Sequence, residues 1–231
     1  MLFEALAFPR AGDDWLETLL VGGVLSLLGV LVVPAIVVNG YLVRVLRAGV
    51  EGDETLPRFT DWVDLFVDGL LVLLVELVYV GVTTFVLAGL VFVGVALGWV
   101  TAAVGVRGPV RTLGAIYGSA LLLVGLFGFL LAAYLLPAAL ANFARTDDVV
   151  AAFHLGTVAR AAFTADYLVA VVLAIAVSVV LGVVGGLLLL VLVGVFVLFA
   201  LQVVVYHLFG QGFARGLASR AVEQPAAEPS G

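Results

Sequence analysis

The sequence predicts an all-α, polytopic transmembrane helical bundle of about five spans, with four to six compatible, and with interfacial amphipathic helices. Three observations carry this. No Asp, Glu, Lys or Arg occurs across residues 167–214, and three further apolar blocks precede that stretch. Apolar residues make up 65% of 231 and the mean hydropathy is +1.31, where water-soluble domains carry about 45–50% apolar residues. The apolar runs are continuous rather than alternating, and lipid offers backbone groups no partners, so helices rather than barrel strands are the spanning elements.

In order along the chain, residues 1–10 lack a basic start, and Asp13 and Asp14 precede the first long apolar run. No secretory signal is expected, and the first spanning helix itself serves insertion. Residues 18–43 form the first block, and Pro34 inside it predicts a kink. Residues 69–106 hold a single ionisable side chain, Glu76, and are long for one span yet short for two. Residues 113–144 are charge-free and carry Pro137. Residues 167–208 suit two helices joined near residues 182–186, where three glycines cluster. Residues 1–221 read as one integral membrane domain. The small, polar, Pro-containing tail 222–231 is expected to be disordered.

All basic residues are Arg, 10 in number, against 16 acids, and the pI is about 4.7. A Lys-free, acid-rich chain of this kind fits a halophilic archaeon. The excess acid argues against nucleic acid as a partner. With no Cys and two isolated His, no disulfide, thiolate site or metal-ligand set is expected, and no cofactor.

If residues 69–106 cross once, Arg44, Arg47, Arg58, Arg145, Arg160, Arg215 and Arg220 share one face and Arg10, Arg107 and Arg111 the other. The richer face, with the main polar loops and the carboxyl terminus, is then cytoplasmic at the cell membrane. Two crossings of that block divide the Arg equally. A third arrangement folds residues 18–43 into a re-entrant hairpin and leaves only Arg107 and Arg111 outside, at the expense of length. Five crossings are expected.

Pro34 to Asn39 and Pro137 to Asn142 share Pro-Ala-x-x-x-Asn at an offset of 137 − 34 = 103. Duplication and chance self-similarity weigh equally, and transporters are often built from repeats.

The polar segment 40–70 holds the most information. Read as a helix from an N-cap at Thr60, it places Asp61, Asp64 and Asp68 on one face and Trp62, Leu65 and Phe66 on others. That makes an interfacial helix whose acids are a solvated face, or alternatively a cation or partner site. Gly40, Tyr41, Arg44, Val45 and Arg47, then Gly52, Asp53, Leu56 and Pro57, then Asp61, Trp62, Asp64, Leu65, Phe66, Asp68 and Gly69 resemble the signature of the archaeal and bacterial membrane family catalogued as domain of unknown function 4013. Pro137 to Asn142 and Phe153 to Tyr167 resemble that family's second loop. The resemblance implies a polytopic membrane protein without an assigned activity, and no catalytic residue is carried over.

Glu76 is the one carboxylate deep in an apolar block, about 12 Å beyond Asp68 along a helix. Intramembrane acids are costly and mark functional candidates. Its candidate partners are Arg44, Arg47, Asn39, Asn142 and Gln202. His207 reads as an interfacial hydrogen-bonding residue, and Tyr41, Trp62, Tyr134, Tyr167 and Tyr206 as an aromatic belt. Gly94/Gly98, Gly114/Gly118, Gly182/Gly186 and Gly212/Gly216 permit close helix packing at about the frequency chance gives.

No phosphate loop, nucleophile elbow or metalloprotease motif occurs, so an enzyme is not expected. The expected function is a non-enzymatic membrane scaffold or partner-binding subunit, with the lipid bilayer and a membrane protein or a second copy as partners. The alternative is a small-solute or ion transporter using Glu76.

Overall fold

The computed structural model describes residues 1–105 and 108–223, and every regular element among them is helical. The chain forms two compact units, Met1–Val75 with Pro137–Gly231, and Glu76–Leu136. Five helices are long and apolar enough to cross a membrane: Val32–Glu51, Trp62–Val100, Thr112–Thr146, Ala165–Val191 and Gly194–Val222. This is the make-up of a multi-pass membrane protein.

The first unit starts with α1 (Leu2–Ala7), α2 (Trp15–Leu27) and α3 (Val32–Glu51). Residues 18–43 are therefore two helices and not one kinked helix. Leu31 is extended, at φ −84° and ψ 132°, and breaks the chain before the proline does. Pro34 instead lies in the first turn of α3, where its missing N–H leaves no helical bond unmade.

Helices α2 and α3 pack on each other, and both pack on α9 (Gly194–Glu223). The amino-terminal segment consequently returns to the end of the unit at which α3 stops. There Leu56 N–H donates to Ala11 O at 3.3 Å, Asp14 pairs with Arg58, and the Phe8 ring stacks on His207. Arg10 thus shares that end with Arg58 and is not on the opposite face, while the number of long apolar helices stays at five. Arg107 lies outside the described residues.

Helix α4 (Trp62–Glu76) begins two residues later than its expected cap. Asp61 precedes it with φ 53°, and Leu65 N–H donates to Asp61 O at 3.1 Å. The helix is the entry end of the span Trp62–Val100 and not a separate helix lying flat. Nothing between Asp68 and Leu74 breaks a helix, so the chain has no reason to turn there. The short amphipathic element is α7 (Leu155–Ala162), with Val158, Ala161 and Ala162 buried and Arg160 exposed.

Helices α8 (Ala165–Leu188) and α9 form the expected hairpin. Its turn lies at residues 189–193, later than the glycine cluster, with Leu192 in the left-handed region at φ 61°. Gly185 stays inside α8 as a contact for Leu198 of α9.

Buried Tyr41, Val45, Leu65, Phe199 and Val203 make one apolar core, while Ala174, Leu201, Val204 and Leu208 make a second between α8 and α9. One close helix crossing borders the first core. A Cβ on Gly40 would overlap the Leu65 carbonyl, and one on Gly69 the Ile36 carbonyl, so α3 and α4 meet backbone to backbone. Of the four spaced glycine pairs, Gly94/Gly98 and Gly114/Gly118 face open space. Gly212 and Gly216 do pack closely, against Ala170 and Thr164.

In the second unit a π-helical turn, Leu77–Gly81, leads into α5 (Val82–Ala103), and α6 (Pro109–Thr146) returns. Gly125 meets Leu87 and Leu90. Phe85, Phe92 and Trp99 are exposed by 73% or more, as side chains facing lipid would be. Residues 224–231, most of the tail expected to be disordered, lie outside the described residues, and Val222 and Glu223 end α9.

Candidate functional site

Helix α3 carries the basic pair of the family-like motif, and both guanidinium groups close loops. The Arg44 guanidinium donates to Thr60 O at 2.7 Å, Thr60 Oγ1 at 3.2 Å and Arg58 O at 3.4 Å. Tyr41, three residues earlier and so on the same helical face, donates its hydroxyl to Pro57 O at 3.0 Å. Its ring stacks on Phe59 at 4.0 Å between centroids. Residues 52–61 are thereby folded back onto the helix they follow. This explains why Thr60 does not cap α4: its oxygens are already engaged by Arg44.

Arg47 reaches a different loop. Its Nε donates to Ala144 O at 2.8 Å, and its Nη2 pairs with Asp147. Ala144 belongs to the last turn of α6, whose carbonyls lack helical partners and carry the negative end of the helix dipole. A cation there satisfies both needs. Asn142, buried, donates Nδ2 to Ala151 O at 2.7 Å and accepts from Arg145 Nη2 at 3.1 Å. It holds the turn Val149–Phe153 on the end of α6.

The acids do not converge. Asp61 and Asp64 are exposed and Asp68 is half-buried, and among the described residues none of the three forms an ion pair. Trp62 is 50% exposed and lies against Phe59 at 6.0 Å. Asn39 is half-buried and makes no side-chain hydrogen bond among the described residues.

Glu76 is the last residue of α4, immediately before the π turn. It is half-buried, and among the described residues it makes no hydrogen bond or ion pair. Such π turns occur often at functional sites.

The aromatic belt needs correction. Tyr41 and Tyr167 are completely buried, because each lies in a helix–helix or helix–loop seam rather than on the lipid face. His207 is 3% exposed, stacks on Phe8 at 3.8 Å and lies 3.2 Å from Gln211 Nε2. With Gln211 it borders a cavity of about 820 Å³ among the amino-terminal segment, the end of α3 and α9. A lone His in an apolar run gives no signal of this, since the Phe8 partner is distant in sequence.

A family model described as "Protein of unknown function (DUF4013)" matches residues 25–190. The chain belongs to the DUF4013 family. The match takes in both polar loops and leaves out Phe8, His207 and Gln211. In this DUF4013 protein the matched motif has a physical reason: Gly40 and Gly69 allow α3 and α4 to cross, and Tyr41, Arg44 and Arg47 fasten the two loops. No curated protein and no solved structure matches the chain.

Proposed function

We propose that this DUF4013 protein is a non-enzymatic membrane scaffold or partner-binding subunit. One observation carries the reading: Arg44, Arg47 and Asn142, the polar side chains that could serve chemistry, are committed to backbone carbonyls of the protein's own loops. Groups so engaged make a rigid polar end and are not free to hold a substrate.

The end bearing Arg10, Arg44, Arg47, Arg58, Arg145, Arg160, Arg215 and Arg220 is assigned to the cytoplasm by the positive-inside tendency. The Lys-free, acidic composition supports an origin in a salt-loving archaeon. Duplication also gains support, since the helices after the two loops start at Trp62 and Ala165, and 165 − 62 = 103, the same offset as the prolines.

The second reading, a small-solute or ion transporter, is favoured by Glu76, an acid in an apolar run that makes no hydrogen bond or ion pair among the described residues and stands beside a π turn. Proteoliposome flux separates the two. The scaffold reading expects no proton or cation flux above protein-free vesicles, with Glu76→Gln indistinguishable from wild type. Flux that disappears in Glu76→Gln, while melting is unchanged, overturns it in favour of transport.

A further inference from the structure

Helix α7 has one covered side and one open side. At about 100° per residue, Val158, Ala161 and Ala162 fall together, and all three are buried. They are held on α9, where a Cβ on Gly216 would overlap the Ala161 carbonyl. Leu155, Gly156, Arg160 and Phe163 fall on the opposite side, within an arc of about 140°. Leu155 and Phe163 are 59% and 57% exposed, and Val150, in the turn before the helix, is 56% exposed. A Cβ on Gly156 would meet nothing within 4 Å. Among the described residues, then, nothing seals this face.

Two observations indicate what does. The first is continuity with the lipid-facing surface. The segment is tethered between two spans, since α6 ends at Thr146 and α8 begins at Ala165. On α8, Leu168, Val172, Ile175 and Val179 are each exposed by 53% or more, and their spacing of i, i+4, i+7 and i+11 makes them one stripe. Only Thr164 and the first turn of α8 separate Phe163 from that stripe. The open face of α7 thus extends an apolar surface that already meets lipid.

The second observation is the charge on the face. Arg160 Nε donates to Gly156 O at 3.0 Å and Nη2 to Thr157 Oγ1 at 3.4 Å, which lays the guanidinium back beside Gly156. Arg160 forms no ion pair among the described residues, and of its five N–H donors these bonds use two. Arg220 brings a second guanidinium to the far end, where Nη2 donates to Phe163 O at 3.2 Å. The acids of the same segment are engaged elsewhere or set back: Asp147 pairs with Arg47, Asp148 accepts from Val150 N–H at 2.9 Å, and Asp166 is half-buried in α8. A guanidinium flanked by exposed apolar side chains matches a lipid phosphate, which accepts two parallel N–H bonds above an acyl chain.

We propose that the open face of α7 docks on the surface of the surrounding bilayer. Val150, Leu155 and Phe163 enter the boundary between headgroups and acyl chains, and Arg160 and Arg220 bind the phosphate of an anionic lipid. The contact does not involve Glu76 and holds for a scaffold or a transporter alike.

Single-cysteine variants of the full chain, which has no native Cys, test this in nanodiscs of phosphatidylglycerol and phosphatidylcholine. With bimane on Leu155→Cys or Phe163→Cys, a lipid spin-labelled near its headgroup should quench about as strongly as at Leu168→Cys, the start of the α8 stripe, and several-fold more than at Glu54→Cys in the first loop. Native mass spectrometry reads the headgroup. Wild type should retain phosphatidylglycerol over phosphatidylcholine, and Arg160→Gln should reduce that preference about fivefold, the share of one basic side chain at an anionic surface. Arg160→Lys, which keeps the charge, should recover it. Quenching at positions 155 and 163 no stronger than at 54 overturns the proposal and leaves the face to a protein partner. An unchanged preference in Arg160→Gln, or a loss that Arg160→Lys does not relieve, overturns it equally.

Discussion

Gly49 of α3 and Gly210 of α9 meet with no side chain between them. A Cβ on Gly49 would overlap the His207 carbonyl, and one on Gly210 the Leu46 carbonyl. The closeness that lets α3 seat on α9 depends on both. Gly49→Val is expected to lower stability by about 1–3 kcal/mol, since backbone cannot move aside as a side chain can. Gly94→Val, at a glycine facing open space, should leave melting in detergent unchanged. Equal melting of the two variants would remove the crossing as a determinant of the fold.

Arg47 and Asp147 form an ion pair whose two halves differ, the side chains being 25% and 74% exposed. Arg47→Ala also unpairs Ala144 O and should cost about 1–3 kcal/mol. Asp147→Ala leaves Arg47 bonded to that carbonyl, and an exposed pair contributes only about 0–1 kcal/mol. Thermal melting of both variants checks the order, and a larger loss for Asp147→Ala would refute it.

Asn142→Leu removes a buried donor and leaves the Ala151 carbonyl with the His154 N–H alone, at about 0.5–1.5 kcal/mol. The effect should be local. Hydrogen exchange is expected to quicken in residues 147–163 and to stay as in wild type in α2.

Asp53 accepts from Thr55 N–H at 2.9 Å and Thr55 Oγ1 at 2.8 Å, and these bonds, the main-chain one foremost, hold its carboxyl below the ordinary range. The folded pKa is depressed, so the stabilisation is present above the unfolded pKa and is lost as pH falls through the folded value. With Asp53 almost fully in solvent the gain is small. Thr55→Ala should raise the Asp53 titration midpoint, followed by carboxyl carbon NMR. An unmoved midpoint would show that the hydroxyl contributes nothing.

Cysteine accessibility reads the amino-terminal fold-back in a chain with no native Cys. Asp13→Cys and Glu54→Cys should label from the same side of a sealed vesicle, because Ala11 and Leu56 are bonded there. Leu190→Cys, 88% exposed in the turn between α8 and α9, should label from the other. Labelling of positions 13 and 54 from opposite sides would restore Arg10 to the face opposite Arg58.

Helix class, the α8–α9 hairpin and the family were legible because each rests on local sequence: an uninterrupted apolar run, its length, a run of motif residues. What pairs across distance was not. Tyr41 and Tyr167 look like belt residues by their place at block ends, and only the packing of α3, α8 and their loops buries them. Arg44 and Arg47 look like partners for Glu76 by charge, yet carbonyls at helix and loop ends claim them, and carbonyls carry no sequence signal. Among 27 glycines, the spacing rule singled out Gly94 and Gly114, which touch nothing, and passed over Gly49 and Gly210, which share no spacing because they lie on different helices.

The π turn at Leu77–Gly81 holds one residue more than an α turn. The helical phase of the sequence shifts across it by roughly 100°, one residue's share of a turn. A helical wheel drawn through Asp61, Asp64 and Asp68 therefore loses its phase at Tyr79, and the stripes of α4 and α5 must be read as two separate wheels. The Thr83 hydroxyl, bonded to Tyr79 O at 2.6 Å, sits where the two meet.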